Sequence, residues 1–210
     1  MVHTSDIAFT ESVKAIQFRK GSRKIYARME QSSGWQTEIT PGLASIVARQ
    51  RSFFLGTANA EGQPYIQHRG GPPGFLKVID EKTLAFADYK GNRQFISQGN
   101  LAENPKALIF LIDYAERTRI KIWGRAEVVE DRPEFLAELM PSQGEYRARA
   151  EQAVVFTVEA WDRNCPQHIP QLIEREKVDK LLDEQHRRIE ELQEQVRLLK
   201  SKSHQQAGST

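Results

Sequence analysis

The chain has 210 residues, of which 39% are hydrophobic and 28% are charged. This length and composition suit one domain of roughly 150 residues with additional segments attached to it. The 30 Lys and Arg residues nearly balance the 28 Asp and Glu residues, so the formal net charge is only +2. This balance excludes the domain-wide positive field that gathers nucleic acid and the acidic excess typical of disordered chains.

Cysteine usage and hydropathy indicate the compartment. The single cysteine, Cys165, cannot form an intramolecular disulfide, and the sequence contains no Cys cluster or closely spaced His pair typical of a zinc site. The first residues lack a basic run followed by an apolar segment, and no stretch of about 18 apolar residues occurs. We therefore expect a soluble, cytoplasmic protein with no metal, no membrane partner and no nucleic-acid partner.

The first 50 residues read as an N-terminal helical segment that packs on the following domain. Thr10 is a candidate N-cap, and Ser32-Ser33-Gly34 separates the first helical region from a short second one. In the second region Thr40 precedes Pro41, the cap-then-proline order that begins helices. Leu43, Ile46 and Val47 are then expected to face a core.

From residue 52 the sequence changes to short β-type runs. The predicted strands are Ser52–Ala60, Gln63–Arg69, Phe75–Asp80, Thr83–Asp88, Ala107–Asp113, Thr118–Glu130 and Ala153–Trp161. The polar connections at residues 60–63 and 80–83 have the lengths that join neighbouring antiparallel strands. One helix is predicted from Asn92 to Glu103 and another from Pro133 to Met140. The pattern is mainly β with flanking helices, and it predicts a small β-barrel with helices packed outside.

After Pro166 the sequence becomes polar and glycine-free as far as Lys202, which predicts a long amphipathic helix. Apolar residues recur at heptad spacing over 170–200, with Gln185 in one seam position. The seam consists of Val178, Leu182, Ile189, Leu192, Val196 and Leu199. This pattern favours a parallel two-stranded coil and hence a homodimer; the alternative is that the stripe docks on its own domain. We expect the tail, 201–210, to be disordered.

Two segments carry candidate binding residues. In the first, a predicted strand ends in Gln67-His68-Arg69 and continues into Gly70-Gly71. Glycines let the backbone approach a ligand closely, and the three polar side chains supply donors for a phosphate or for the polar edge of a flavin. Without other evidence, a strand that ends in a rigid turn with a solvated arginine is the better explanation of this segment.

The second segment follows the fourth predicted strand, where Gly91 turns the chain and Asn92 is placed as the cap of a helix with Arg93 in its first turn. The free N–H groups and the positive dipole end of a helix bind anions, and arginine adds a charge-assisted contact. Because a cation there opposes the helix dipole, Arg93 itself favours a bound anion.

These residues resemble the pyridoxamine 5′-phosphate oxidase-like FMN-binding split β-barrel family over about Arg51 to Trp161. The motifs that carry the resemblance are Phe54-Leu55-Gly56-Thr57-Ala58, Gly62-Gln63-Pro64-Tyr65, Gln67-His68-Arg69-Gly70-Gly71, residues 74–80, residues 83–88, Gly91-Asn92-Arg93, Asn100-Leu101, Asn104-Pro105 and residues 120–126. The resemblance implies an FMN-binding split β-barrel over 51–169 and a homodimer with FMN at the subunit interface. It also implies a small-molecule substrate.

The resemblance also assigns site residues. It implies that Gln67, His68, Arg69, Gly70 and Lys77 lie beside the ribityl chain and the ring, and that Asp88, Asn92, Arg93 and Gln94 lie at the phosphate. It implies that Arg119 reaches the partner's flavin ring, and residues 161–169 could border that ring. The paired arginines by which the vitamin B6 oxidases of this family hold pyridoxal phosphate have no counterpart after Trp161.

The resemblance leaves the activity open. An FMN-dependent oxidoreductase that uses a donor such as NAD(P)H is the first interpretation, and a flavin-binding sensor without turnover is the second. A structural dimerisation module without cofactor is the third. Because the family includes haem-degrading branches, His68 or His168 as a haem ligand is the alternative at the level of the cofactor.

Overall fold

Seven antiparallel strands form one curled sheet in the computed structural model, which describes residues 2–141 and 146–207. The strands are β1 (Ser52–Ala58), β2 (Pro64–Gly70), β3 (Leu76–Val78), β4 (Thr83–Tyr89), β5 (Lys106–Asp113), β6 (Thr118–Val129) and β7 (Ala150–Asn164). Their order across the sheet is β2-β1-β5-β6-β7-β4-β3. The fold class predicted from the sequence, a mainly β split barrel with flanking helices, is confirmed.

Both predicted hairpins occur: β1 pairs with β2 and β3 pairs with β4. The longest strand, β7, pairs with β6 on one side and with β4 on the other, and it begins three residues before and ends three residues after the predicted run. Strand β3 is shorter than predicted, three residues rather than six. The sheet is therefore built around β6 and β7, with β2 and β3 at its edges.

The described residues also form helices. After a short 3₁₀ helix at Thr4–Ile7 they are α1 (Glu11–Arg19), α2 (Arg23–Ser32), α3 (Pro41–Arg49), α4 (Ile96–Glu103), α5 (Pro133–Leu139) and α6 (Arg175–Ala207). The Thr10 hydroxyl accepts from the N–H of Val13, and the Thr40 hydroxyl accepts from the N–H of Leu43, so both predicted caps form. A break between α1 and α2 was not predicted; the chain turns there at Gly21, which has a φ of +80°.

The core fills the concave side of the sheet. Phe53, Leu55, Ile109, Ile122 and Phe156 are fully buried there, and they alternate along their strands with half-buried or exposed residues. Helix α3 adds the fully buried Leu43 and Val47, with Ile46 packed against the cluster. Burying large apolar side chains contributes about 1.5–3 kcal/mol each.

The segment before β1 covers part of the convex side of the sheet. The indole of Trp35 stacks on that of Trp123 with centroids 4.5 Å apart, and Gln36 forms an isolated bridge with Trp161. The Trp161 indole N–H donates to the carbonyl of Glu38 at 2.8 Å. Both strand tryptophans therefore pack against the chain's own N-terminal segment, Trp123 on the convex face and Trp161 on the core face, where it lies opposite Ile122.

A buried carboxylate connects the helices of this segment. The Glu30 side chain is only 2% exposed, forms an ion pair with Arg23, and accepts a hydrogen bond from the Ser5 hydroxyl at 3.1 Å. Arg23 also donates to the amide oxygen of Gln17 at 2.8 Å. Burial opposes ionisation of Glu30, but the bonds from Arg23 and Ser5 outweigh it and hold the pKa of Glu30 below its ordinary value.

This arrangement predicts an acid-dependent loss of stability. A carboxyl group whose pKa is lower in the folded state stabilises the fold fully above its unfolded pKa, and that contribution is lost as the pH falls through the folded value. We expect the free energy of unfolding of the wild type to fall below about pH 4.5 more steeply than that of Glu30→Gln. Denaturant unfolding followed by tryptophan fluorescence at several pH values measures this, and parallel pH profiles would contradict it.

The residues from Ile169 onward, together with Tyr114–Arg117, form a second compact unit. Within it the N–H of Leu172 donates to the carbonyl of Tyr114, and Arg117 Nε donates to the carbonyl of Ile169 at 3.2 Å. Helix α6 continues to Ala207, into the segment predicted as a disordered tail, and no helix-breaking residue precedes Gly208. Residues 208–210 lie outside the described residues. No helix in the described ranges has both the length and the apolar character needed to cross a membrane.

Candidate functional site

The candidate site lies where the curl of the sheet brings β2 close to the end of β4. These strands are separated by four others in the order of the sheet, yet Arg69 of β2 forms an ion pair with Asp88 of β4. The side chains of both residues are 15% exposed. The second oxygen of Asp88 accepts from the Gln152 amide at 3.0 Å. The Asp88 carboxylate is thus held at both oxygens, and the pair fixes the spacing between the two strands.

A cleft opens beside this ion pair. Its walls come from β2, the end of β4, the loop of residues 90–95, the start of α4 and the start of β7. The predicted site residues that line it are Gln67, Arg69, Asp88, Asn92, Arg93 and Gln94. The sheet thus brings together both segments that the sequence singled out.

His68 and Gly70 border an adjoining cavity, which shares Gln67 and Arg69 with the cleft. Along β2 the side chains of Gln67 and Arg69 are half-buried, whereas His68 is exposed and packs edge-on against Phe54 with centroids 5.6 Å apart. Alternation along the strand explains this separation. His68 is therefore placed differently from its two neighbours in sequence.

Lys77 and Arg119 do not line the cleft of their own chain. Lys77 lies on β3 opposite Ala85. Arg119 lies on β6 between Ile112 of β5 and Asn164 of β7, and it alternates with the buried Ile120, so its side chain lies on the convex face. The role predicted for Arg119, contact with a partner's ligand, stays a prediction.

The prediction that α4 begins at Asn92 is wrong. The helix begins at Ile96, and the preceding residues form an Asx turn in which the Asn92 side-chain oxygen accepts from the N–H of Gln94 at 3.2 Å. Arg93 and Phe95 both have φ in the left-handed region, at 59° and 54°, which a helix excludes. Arg93 is therefore in a loop, not in the first helical turn.

The start of α4 and Arg93 still offer groups that can bind an anion. The residue before α4, Phe95, provides no side-chain cap, so the first N–H groups of the helix have no side-chain acceptor there. Ile96, Ser97 and Gln98 line the cleft at this helix start. Arg93 is 59% exposed, its guanidinium stands 5.6 Å from the Phe95 ring, and its ion pair with Glu151 is long, at 3.9 Å.

Two buried polar atoms at the site have no hydrogen-bond partner within the described residues: Arg69 Nε and the Tyr89 hydroxyl. Buried polar groups are usually paired, so each is a donor available to a ligand. Burial raises the pKa of Tyr89, and the neighbouring Tyr146 raises it further. Tyr89 therefore keeps its proton at neutral pH and can donate it in a hydrogen bond.

Sequence reasoning missed Tyr89, Ser97 and Gln152 as site residues. Ser97 donates to the Gln67 side-chain oxygen at 2.7 Å, which orients that amide. Gln152 lies directly opposite Asp88 on β7, and the register shifts between Asp88 and Tyr89, a local irregularity that re-aims side chains. Of these three residues, only Tyr89 could have been identified from the sequence, because it follows Asp88 at the end of a predicted strand.

Comparisons with known proteins identify one matching family and several solved structures with a similar fold. A family model described as Pyridoxamine 5′-phosphate oxidase matches residues 39–165, and no curated protein matches significantly. Among solved structures, HupZ of Group A Streptococcus is 19% identical, with a TM-score of 0.49 over 64% of this chain and 99% of that one. An FMN-binding protein of Syntrophomonas wolfei is 12% identical, with a TM-score of 0.47 over 75% of this chain and 99% of that one.

Proposed function

The chain belongs to the pyridoxamine 5′-phosphate oxidase family, and on that premise we propose that it is an FMN-binding oxidoreductase. It would transfer hydride or electrons between a reduced donor such as NAD(P)H and a small-molecule acceptor. The observation that carries the proposal is the cleft in which Arg93, the uncapped start of α4 and two unpaired buried donors converge. FMN combines a phosphate, a hydroxylated chain and a ring with polar edges, and this donor set is suited to all three.

Arg93 and the start of α4 would hold the phosphate. Arg69 is already neutralised by Asp88, with both side chains largely buried, so it has little charge to offer a dianion. Arg93 is the more weakly compensated cation, since Glu151, its counter-ion among the described residues, stands at 3.9 Å. The free N–H groups at the helix start would add hydrogen bonds of the type that phosphate accepts.

The residues deeper in the cleft would bind the ribityl chain and the ring. The Ser97 hydroxyl donates to the side-chain oxygen of Gln67 and so fixes the orientation of that amide. The NH₂ group of Gln67 can then donate to a ligand. Tyr89 and Arg69 Nε add two buried donors. FMN supplies the redox chemistry when it is bound; the chain's own groups position it and place a guanidinium and a neutral phenol near its polar atoms.

The phosphate assignment predicts the effect of Arg93→Ala. Loss of one charge-assisted hydrogen bond to the phosphate should weaken FMN binding by about 1.5–3 kcal/mol, which is roughly 10- to 150-fold in Kd. Quenching of FMN fluorescence on titration with apoprotein measures the change. Arg125→Ala is a matched control, because Arg125 is exposed on β6 and does not line the cleft. An unchanged Kd for Arg93→Ala would remove Arg93 from the site.

The proposed activity needs its own test. Anaerobic reduction of the FMN-loaded protein by NADH or NADPH, followed by reoxidation with candidate acceptors, separates an oxidoreductase from a flavin-binding sensor. Bleaching of the flavin bands supports the oxidoreductase, and bands that persist with both donors support the sensor. A Soret band in the purified protein would instead indicate the haem alternative.

We also propose that the protein is a homodimer in which the α6 helices pair in parallel. The six seam residues remain between 38% and 66% exposed in the single chain. Val178, Leu192 and Leu199 occupy one seam position, and Leu182, Ile189 and Val196 the other. A helix with this seam gains apolar burial when a second copy covers it.

Symmetric cysteines test the pairing. At Gln185, the polar member of the seam, a parallel coil would bring the two copies' residues face to face. In a Cys165→Ser background, we expect Gln185→Cys to form an intermolecular disulfide rapidly under mild oxidation. Glu184→Cys, one residue away and outside the seam, should do so slowly. Equal rates on a non-reducing gel would contradict the parallel coil.

A further inference from the structure

A second cavity lies on the convex side of the sheet, where the N-terminal segment covers β6 and β7. It measures about 260 Å³ and shares no lining residue with the cleft described above. Lys121 and Trp123 reach it because they alternate along β6 with the buried Ile120 and Ile122. The cavity is therefore separated from the cleft by the sheet and its core.

One side of this cavity is a continuous aromatic wall. Phe9 packs edge-on against Tyr26 and Trp35, with centroids 5.2 and 5.0 Å away, and Trp35 stacks on Trp123 with an interplanar angle of 11°. The backbone of Trp35 is fixed by a 2.8 Å hydrogen bond from its N–H to the Thr4 hydroxyl. The wall is thus preformed, and its flat surfaces suit a planar ring.

Next to the aromatic wall, the cavity carries a donor beside an acceptor. Lys121 and Asp162 are direct cross-strand neighbours on β6 and β7, so their Cβ atoms lie roughly 5 Å apart. An ammonium group only donates hydrogen bonds, and an ionised carboxylate only accepts them. The Lys121 ammonium stands 5.3 Å from the centre of the Trp123 ring, beside the aromatic wall.

Asp162 has unused hydrogen-bonding capacity. Burial raises the pKa of its carboxyl group; the charge of Lys121 and a backbone N–H from Arg163 oppose that rise. A carboxylate has about four acceptor positions, and a partly desolvated one gains from an additional donor. The Asn164 amide, also in the lining, can serve as either donor or acceptor.

We propose that this cavity binds a planar lactam heterocycle, whose ring lies against the aromatic wall while its N–H donates to Asp162 and its neighbouring C=O accepts from Lys121. A lactam edge presents a donor beside an acceptor, which complements a carboxylate beside an ammonium. The ammonium group and the carboxylate together carry no net charge, so the cavity favours a neutral ligand over a cation or an anion. A purely apolar ligand would leave both charges without a partner.

Pterin, a planar lactam, is a suitable probe. Calorimetric titration of the full-length protein, with and without saturating FMN, should show one pterin bound per chain in both cases. Asp162→Asn and Lys121→Met should each raise the pterin Kd at least tenfold. Glu127→Gln, which alters an exposed carboxylate on β6, should leave the Kd unchanged. Against the wild type, 3-methylpterin, which has a methyl group in place of the lactam hydrogen, should bind at least tenfold more weakly than pterin.

Several results would overturn the proposal. One is that the wild-type protein does not bind pterin, and another is that it binds pterin and 3-methylpterin equally well. A third is that Asp162→Asn and Lys121→Met both leave the pterin Kd unchanged. Loss of pterin binding when FMN is added would place the pterin in the cleft instead. Because the two sites share no residue, pterin binding that persists in Arg93→Ala separates this proposal from the FMN assignment.

Discussion

Asp88→Asn is expected to lower the free energy of unfolding by about 3–5 kcal/mol, the range for removing one partner of a buried ion pair. The variant leaves the Arg69 guanidinium without a counter-charge while its side chain is only 15% exposed. Arg69 Nε already has no partner within the described residues, so the remaining contacts cannot compensate. Denaturant unfolding of both proteins at neutral pH measures the loss.

A double mutant shows how much of the loss comes from the unpaired charge of Arg69. Combining Asp88→Asn with Arg69→Met should recover a large part of the lost stability, because neither variant side chain then places an unpaired charge in the protein. Glu127→Gln, which alters an exposed carboxylate on β6, is the control and should change stability by less than about 0.5 kcal/mol. A loss below about 1 kcal/mol for Asp88→Asn would show that Arg69 and Asp88 behave as a solvated surface pair.

Gly124→Ala is expected to lower the free energy of unfolding by about 3 kcal/mol or more. A Cβ at this position would stand 2.0 Å from the carbonyl oxygen of Thr157 and 2.7 Å from the ring of Phe156. The first of these atoms belongs to the backbone of β7, which also pairs with β4 and cannot move without disturbing the sheet. The register between β6 and β7 shifts between Trp123 and Gly124, and this shift permits the close approach.

The control for this prediction is Gly99→Ala. Gly99 lies within α4, and a Cβ there meets no atom within 4 Å. Replacing a helical glycine with alanine should therefore stabilise the protein by about 0.5–1 kcal/mol. Thermal or denaturant unfolding of the two variants should shift in opposite directions, and a Gly124→Ala protein as stable as the wild type would contradict the close packing of β6 on β7.

The strands were predictable because their residues alternate and their connections are short. In Ser52–Ala58 every second residue is buried, and this alternation is visible in the sequence as a period of two. The extensions of β7 were missed since Asp162, Arg163 and Asn164 are polar and gave no strand signal. They are held in the sheet by pairing with β6, which local sequence does not reveal.

The candidate site was only partly predictable, for two physical reasons. The start of α4 depends on Arg93 and Phe95 adopting positive φ, a conformation that neither residue type favours. The Arg69–Asp88 contact depends on the curl of the whole sheet, which brings together two strands that do not pair with each other. By contrast, the family resemblance identified both segments of the cleft, because their motifs are local in sequence.

We propose that the cleft between β2, β4 and α4 holds FMN. The most direct measurement is the absorption spectrum of the purified protein after incubation with excess FMN and removal of the free flavin by gel filtration. We expect retained flavin bands that correspond to one FMN per chain and are strongly reduced in Arg93→Ala. Protein that elutes without flavin absorbance, while folded by circular dichroism, would contradict it.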